Sequence, residues 1–537
     1  MKQMYNYQSF ISRLNDTITN DSSNYSHTLN GALAYRSTGS NLVNLNYSIP
    51  NMRTAHTDDI ISLFIKAYND DPEIALKYLF YLSDIRKGLG ERRSFRTILH
   101  FLAYAHPEIL KNFIQYIPYY NRYDSLLELY NTPLQQEMFH FILLSLQQDL
   151  KNFYAKKPIS LLAKWLPRTD SSNKHRAKIA KKLALYISKE TYFVNENYLT
   201  SSIPNSRFYN YYNRLLASLR AYLDLTEIKT SSNQWQSINY SQVPSKANLK
   251  YAKSFMRHDP IRRQQFLDSV RRNKTKINAS TIYPHEIVQK YCTDSTASSF
   301  VYSCNSEPSL SDFNEDLELL WKNLPSVLPL TSSTQSILVV ADGSASMWWL
   351  DPHSHFTPVH VANALAIYCA EHLQGEFHNT CLTFSAHPQI VHLNGSTLYD
   401  KIATMLAHNE CANTNIYATF KLILDTAKQH FLPQSSLPNT LLIISDMQFD
   451  EGADFSKPLF KQIKQEYAQA GYSLPNVVFW NVASYNTSAP ITANEYGFNL
   501  VSGFSVNILK SILTDTTNAY ESLFKILQSD RYSPIHL

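Results

Sequence analysis

Three short stretches set oxygen-bearing side chains at the ends of apolar runs. SILVVA (336–341) leads directly into Asp342-Gly343-Ser344-Ala345-Ser346, and TLLIIS (440–445) leads directly into Asp446. Between them, Asn413-Thr414-Asn415 opens a helical pattern. Carboxylate and hydroxyl oxygens are hard ligands, the kind that Mg²⁺ takes in octahedral geometry and that Mn²⁺ and Ca²⁺ also accept. Residues 342, 344 and 346 alternate along one loop and can turn toward a single ion, with Thr414 and Asp446 approaching from adjacent loops. A set with so few anionic ligands leaves a position for a carboxylate or phosphate supplied by a partner.

A second chemistry lies upstream. Residues 151–190 hold eleven Lys and Arg, among them Lys174, Arg176, Lys178, Lys181 and Lys182, against Asp170 and Glu190. Residues 246–276 hold Lys250, Lys253, Arg257, Arg262, Arg263, Arg271 and Arg272, with Asp259 and Asp268 opposing. Phe153, Tyr154, Tyr251 and Phe255 lie among these cations. Basic groups neutralise phosphates and aromatic faces stack bases, so the mixture suits RNA. RKGLGERR (86–93) lacks the GxxxxGK[ST] spacing and the preceding strand of a phosphate loop. It reads as a tight turn between helices, with Gly88 or Gly90 at the C-cap and Arg92 and Arg93 as further phosphate contacts.

Nothing in the sequence frames a catalytic centre: GxSxG, HExxH and a recognisable Cys/His pairing are all missing. His353, His355 and His360 read as surface histidines in a Pro-broken loop entering a helix.

These residues need elements to hold them. After Gln335 apolar strand runs alternate with helical patterns: SILVVA, HVANALAIYCAEHL, NTCLTFS, TNIYATFKLILDTAKQHF, TLLIIS, PLFKQIKQEYAQAG and NVVFWNV. That order predicts a mostly parallel α/β sheet covered on both faces, with ligands at the C-terminal ends of its strands. Upstream, from Asp58, apolar residues recur three and four apart between short breaks, which predicts paired antiparallel helices in a repeat-like array. The expected organisation is an irregular N-terminal arm over 1–55, an all-α HEAT-like helical-repeat domain over 56–290, a linker or excursion over 291–332, and the α/β domain over 333–537.

Composition agrees with two bodies. The 537 residues are 44% hydrophobic and 17% charged, with 36 Tyr and only 11 Gly, a globular balance that favours helices. From Thr331 onward 9 Lys+Arg face 16 Asp+Glu, while the preceding residues carry 40 against 28, so the two halves suit different partners. The start, MKQMYNYQSFISRLNDT, lacks the apolar core of a signal peptide, and no run approaches the ~20 apolar residues of a membrane helix. Cys292, Cys304, Cys369, Cys381 and Cys411 are scattered and odd in number, which points to a reduced, cytoplasmic setting rather than a zinc site.

Asp342-x-Ser344-x-Ser346, with Thr414 and Asp446 downstream, resembles the metal-ion-dependent adhesion site of von Willebrand A domains. The resemblance implies a von Willebrand A fold in which Ser344, Ser346 and Thr414 bind a divalent cation directly or through water, and Asp342 and Asp446 bind it or hold its waters. PNVVFWNVASYNTSAPITANEYGFNLVSGFSVNILKSIL, LSDIRKGLGERRSFR, IPYYNRYDSLLEL, LLAKWLPR and QVPSKA resemble an uncharacterised family that joins a helical half to such a domain. Its architecture is similar to the Ro/TROVE RNA-binding proteins, in which a ring of helical repeats closed by a von Willebrand A domain binds small structured RNAs and single-stranded RNA ends. The implied protein is non-catalytic. It binds small non-coding or misfolded RNA through its helical half and carries a divalent cation, Mg²⁺ before Mn²⁺ or Ca²⁺. The alternative is a metal-dependent scaffold that takes an acidic protein and no RNA. Two departures stand: the first loop reads DGSASM where many relatives read D-x-S-G-S-M, and no motif of the helical half aligns residue by residue with Ro RNA contacts.

Overall fold

The computed structural model describes residues 24–192, 204–292, 310–326, 336–348, 356–383, 387–409, 413–451, 458–483, 488–509 and 518–537. They fall into two compact units. One draws on Met1–Tyr78, Arg86–Leu89 and Leu267–His536, the other on Leu79–Ile85 and Gly90–Phe266.

The first unit is built on a sheet. After a small antiparallel hairpin, β1 (Tyr25–His27) and β2 (Leu33–Tyr35), come β3 (Ile337–Ala341), β4 (Thr380–Thr383), β5 (Ile390–His392), β6 (Thr440–Ser445), β7 (Asn476–Asn481) and β8 (Phe498–Ser502). The six later strands run in the order β5-β4-β3-β6-β7-β8. Every pair is parallel except β4–β5 at the edge. Unbroken apolar runs such as ILVVA are what a strand buried on both faces requires, and all five residues of β3 are buried. The chain leaves β3 toward β4 on one side and returns to β6 on the other. The crevice at the C-terminal ends of β3 and β6 is therefore the topological switch point, where open α/β sheets bind ligands.

One face of the sheet is covered by the helix Pro358–His372, whose residues 358–370 are all buried, as its apolar circumference demands. His360 sits in that helix, only 6% exposed, with Nδ1 2.6 Å from Thr357 Oγ1. This corrects the reading of a surface histidine; His353 and His355 lie outside the described residues.

The N-terminal residues are not an irregular arm where they are described. Ala32, Val43 and Tyr47 share a core with Leu338, Leu441, Phe479 and Leu500 of the sheet. Tyr35 exchanges backbone hydrogen bonds with Ala489 (2.9 and 2.8 Å), and Ser502 donates to the Asn46 carbonyl at 2.7 Å. The low local periodicity of this segment reflects packing supplied by residues about 290 to 470 positions away. The helix Glu315–Lys322, within the stretch read as a linker, is likewise packed in. Its Glu318 accepts the amides of Leu398 (2.8 Å) and Tyr399 (3.1 Å), capping the helix Leu398–Ala407 with a carboxylate at its positive end.

The second unit is helical. The helix Arg93–Ala105 buries Phe95, Ile98, Leu99 and Leu102, spaced three and four apart as an amphipathic helix requires, and stops at His106 before Pro107. Gln135–Tyr154, Lys174–Tyr192 and Asn205–Tyr222 pack together. Ser245–His258 closes over a smaller core of Ile238, Tyr240, Val243, Ala247 and Phe255.

Candidate functional site

The oxygen-bearing residues of the sheet unit converge at the switch point. Register pairs Ala341 with Ile444, and the Asp342 amide donates to the Ile444 carbonyl at 3.0 Å, so Asp342 and Asp446 leave neighbouring strands side by side. Asp342 Oδ1 accepts the Ser344 amide at 2.9 Å, which folds the loop back on itself, and Oδ2 accepts the Ser445 hydroxyl at 2.6 Å. The Ser344 and Ser346 hydroxyls lie 3.2 Å apart. Asp446 Oδ1 accepts the Gln448 amide at 3.0 Å, across a turn in which buried Met447 is held at φ +64, a conformation costly for a side chain with a Cβ. Gly343 lies against Asn409: a Cβ there would stand 2.7 Å from its Oδ1 and 3.1 Å from its Cα. Thr414 precedes the helix Ile416–Gln429, which Asn415 caps by accepting the Ala418 amide at 2.9 Å.

Asp342, Ser344, Thr414 and Asp446 are all buried, and Ser346 is partly so. Burial and the neighbouring Asp446 carboxylate push the Asp342 carboxyl up to about 7, against the pull of the Ser445 and Ser344 hydrogen bonds. Burial, with a smaller contribution from the Asp446 carboxylate, raises the Tyr47 hydroxyl well above the phenolic range. Two mutually repelling buried carboxylates with the Ser344 and Ser346 hydroxyls on the adjoining loop are hard oxygen donors of the kind a divalent cation takes, and its charge would relieve the repulsion. The residues present therefore fit such an ion. The set includes two carboxylates only; among the described residues no group of three or more His, Cys, Asp or Glu is gathered to hold a metal.

In the helical unit, Lys174, Lys178, Lys181 and Lys182 follow a helical repeat and emerge on one face of Lys174–Tyr192. All four are exposed and line a groove of about 450 Å³, with Tyr209 opposite. Lys181 Nζ stands 5.9 Å from the Tyr209 ring centre, and Lys182 Nζ stands 5.2 Å from that of Tyr130. The acid in the groove, Asp170, is held in a two-pronged pair by Arg168 (2.8 and 2.7 Å), which depresses its carboxyl below the usual range. No carboxylate among the described residues pairs with the four lysines, and the groove presents uncompensated positive charge.

The other predicted cations divide. Arg176, Lys250, Lys253, Arg257, Arg92 and Arg93 are exposed, but none of them lines the groove. Arg263 is 0% exposed, its guanidinium carbon 5.1, 5.2 and 5.4 Å from the ring centres of Tyr240, Phe255 and Phe266. Arg262 pairs with Asp259 at 2.9 Å and donates to the carbonyls of Gln236 and Ile238. Both are corrections: these arginines hold the small aromatic core together, because that core offers π faces and carbonyls that a planar guanidinium can satisfy. Arg271 and Arg272, in the sheet unit, are both exposed, and Arg271 pairs with Asp268 (3.1 Å) and Glu315. Three participants escaped the sequence reading: Ser445, visible only as the last residue of an apolar run; Tyr209; and Asn30, treated below.

Fold and sites together define a two-unit protein in which a helical body carrying a basic groove accompanies a mostly parallel α/β sheet with carboxylate and hydroxyl side chains gathered at its switch point. Residues 28–122 and 128–327 match the family model described as "Domain of unknown function (DUF2828)", and residues 336–531 match "Domain of unknown function (DUF7788)". The first covers more than half of the chain, and the protein belongs to the DUF2828 family. It is similar to an uncharacterised protein of Acanthamoeba polyphaga mimivirus, 28% identical over 555 residues that span 96% of this chain and 89% of the relative. Among solved structures it is similar to the crystal structure of the Deinococcus radiodurans RO (RSR) protein, at a TM-score of 0.45 and 12% identity over 88% of this chain and 98% of that one.

Proposed function

We propose that this is a non-catalytic, cytoplasmic RNA-binding protein whose sheet unit is a von Willebrand A domain with a divalent-cation adhesion site. The observation that carries the RNA reading is the groove on Lys174–Tyr192: four exposed, unpaired lysines on one helix face, with tyrosine rings within cation–π distance. A phosphate backbone would be neutralised along the lysines, and unpaired bases would find aromatic faces beside them. The strand order and the positions of Asp342, Ser344, Ser346, Thr414 and Asp446 support the cation site. Mg²⁺ held by these residues would neutralise the carboxylate pair and offer a position to a carboxylate or phosphate oxygen. Among the described residues no helix is long and apolar enough to cross a membrane.

The test is purification of the full chain from its own host at moderate salt, with extraction and sequencing of any bound nucleic acid. A discrete, ribonuclease-sensitive set of RNAs is the expected result. A preparation free of nucleic acid would refute the RNA reading and favour the second one, a metal-dependent scaffold for an acidic protein. That second reading rests on the buried Asp342–Asp446 pair, which a cation would satisfy without any RNA.

A further inference from the structure

The candidate cation site is covered from within its own unit. The turn between β1 and β2 brings Thr28–Gly31 onto the loop that follows β6. Asn30 Nδ2 donates to Thr414 Oγ1 at 3.2 Å and to the Gln448 carbonyl at 2.7 Å. The Leu29 amide donates to Gln448 Oε1 at 2.7 Å, and Thr28 Oγ1 donates to the Phe449 carbonyl at 2.6 Å. Gly31 bridges to Asp450 at φ +96, a backbone conformation that favours glycine. Thr414 is 1% exposed while Asn30 is exposed, which places the Asn30 amide between a proposed ligand oxygen and solvent. The amide N–H thus covers the Thr414 hydroxyl, and a carboxylate approaching a cation beside Thr414 would have to move it aside.

We propose that the hairpin tip Thr28–Gly31 covers the Thr414 side of the cation site, held there by Asn30, and that a partner's carboxylate reaches the cation by displacing the tip. The proposal rests on the cation reading above. It explains why a segment of mostly polar residues is ordered here: Leu29 is 79% exposed, so the tip is held by hydrogen bonds to the site loops rather than by apolar burial. Such a contact is released without unfolding a core, as a displaceable element must be.

The experiment uses the full chain, Mn²⁺ as the cation and acetate as the simplest carboxylate. Mn²⁺ binding is read first by electron paramagnetic resonance, and acetate is then titrated into the Mn²⁺-saturated protein by calorimetry. With Mn²⁺ at saturation, Asn30→Ala is expected to bind acetate about fivefold more tightly than the unaltered chain, equivalent to about 1 kcal/mol. Equal acetate affinity in the two proteins overturns the proposal while leaving the cation site standing. Failure of the unaltered chain to bind Mn²⁺ overturns both, and is seen before acetate is added. A readout that needs no variant is deuterium uptake at the Leu29 amide, which is bonded to Gln448. Uptake is expected to rise when Mn²⁺ and acetate are added together; unchanged uptake counts against displacement.

Discussion

Replacing Lys178, Lys181 and Lys182 together by Gln removes three of the four cations that line the groove. All three are exposed, and Gln is a good helix former, so stability should stay within about 0.5 kcal/mol of the unaltered chain. Each lysine that neutralises a phosphate of a single strand contributes about 0.7 to the slope of log K against log salt. The triple substitution should therefore flatten that slope by about 2 and weaken binding about 100-fold near 0.1 M salt. The assay is fluorescence anisotropy of a labelled single-stranded oligoribonucleotide between about 50 and 200 mM salt. The matched control replaces Lys250, Lys253 and Arg257, exposed on Ser245–His258 and outside the groove, and should leave the slope nearly unchanged. An unaltered slope in the groove variant, or a larger change in the control, would refute the assignment of RNA to this face.

Asp342→Asn is expected to abolish Mn²⁺ binding and, in EDTA, to raise the melting temperature by a few degrees, because the buried repulsion with Asp446 disappears; a lower melting temperature in EDTA would contradict the repelling pair. Arg263→Ala should destabilise the helical unit by about 3 kcal/mol in urea unfolding, through an emptied core and lost cation–π contacts, and Arg263→Lys should recover little of it. Loss of RNA affinity in Arg263→Ala without loss of stability would restore the arginine to the surface reading. Cys369 and Cys381 are buried, and burial raises both thiols, Cys381 to about 12 and Cys369 further. Peptide mapping after native iodoacetamide treatment should find both unmodified, with labelling appearing only on unfolding; labelling of either in the native chain would contradict that burial.

What local sequence determines about this protein is what depends on neighbours along the chain. Runs such as ILVVA and TLLIIS are short, apolar and rich in β-branched residues, the pattern of strands buried on both faces, and Asp342 and Asp446 follow them directly, which set both carboxylates at strand C-termini. The lysines of 174–182 recur at helical spacing, so a basic helix face was equally legible. The tertiary structure decided everything that turns on a distant partner. Arg262 and Arg263 look identical to surface cations in a basic run until Tyr240, Phe255 and Phe266 close around one and Asp259 and two carbonyls take the other. His360 entered a buried helix because its neighbours are apolar on every side. The hairpin at Asn30 has no periodicity to announce it, since its hydrogen bonds go to residues some 384 to 421 positions away. Burial and long-range hydrogen bonding depend on which surfaces meet, whereas strand, helix and charge spacing are written in order along the chain.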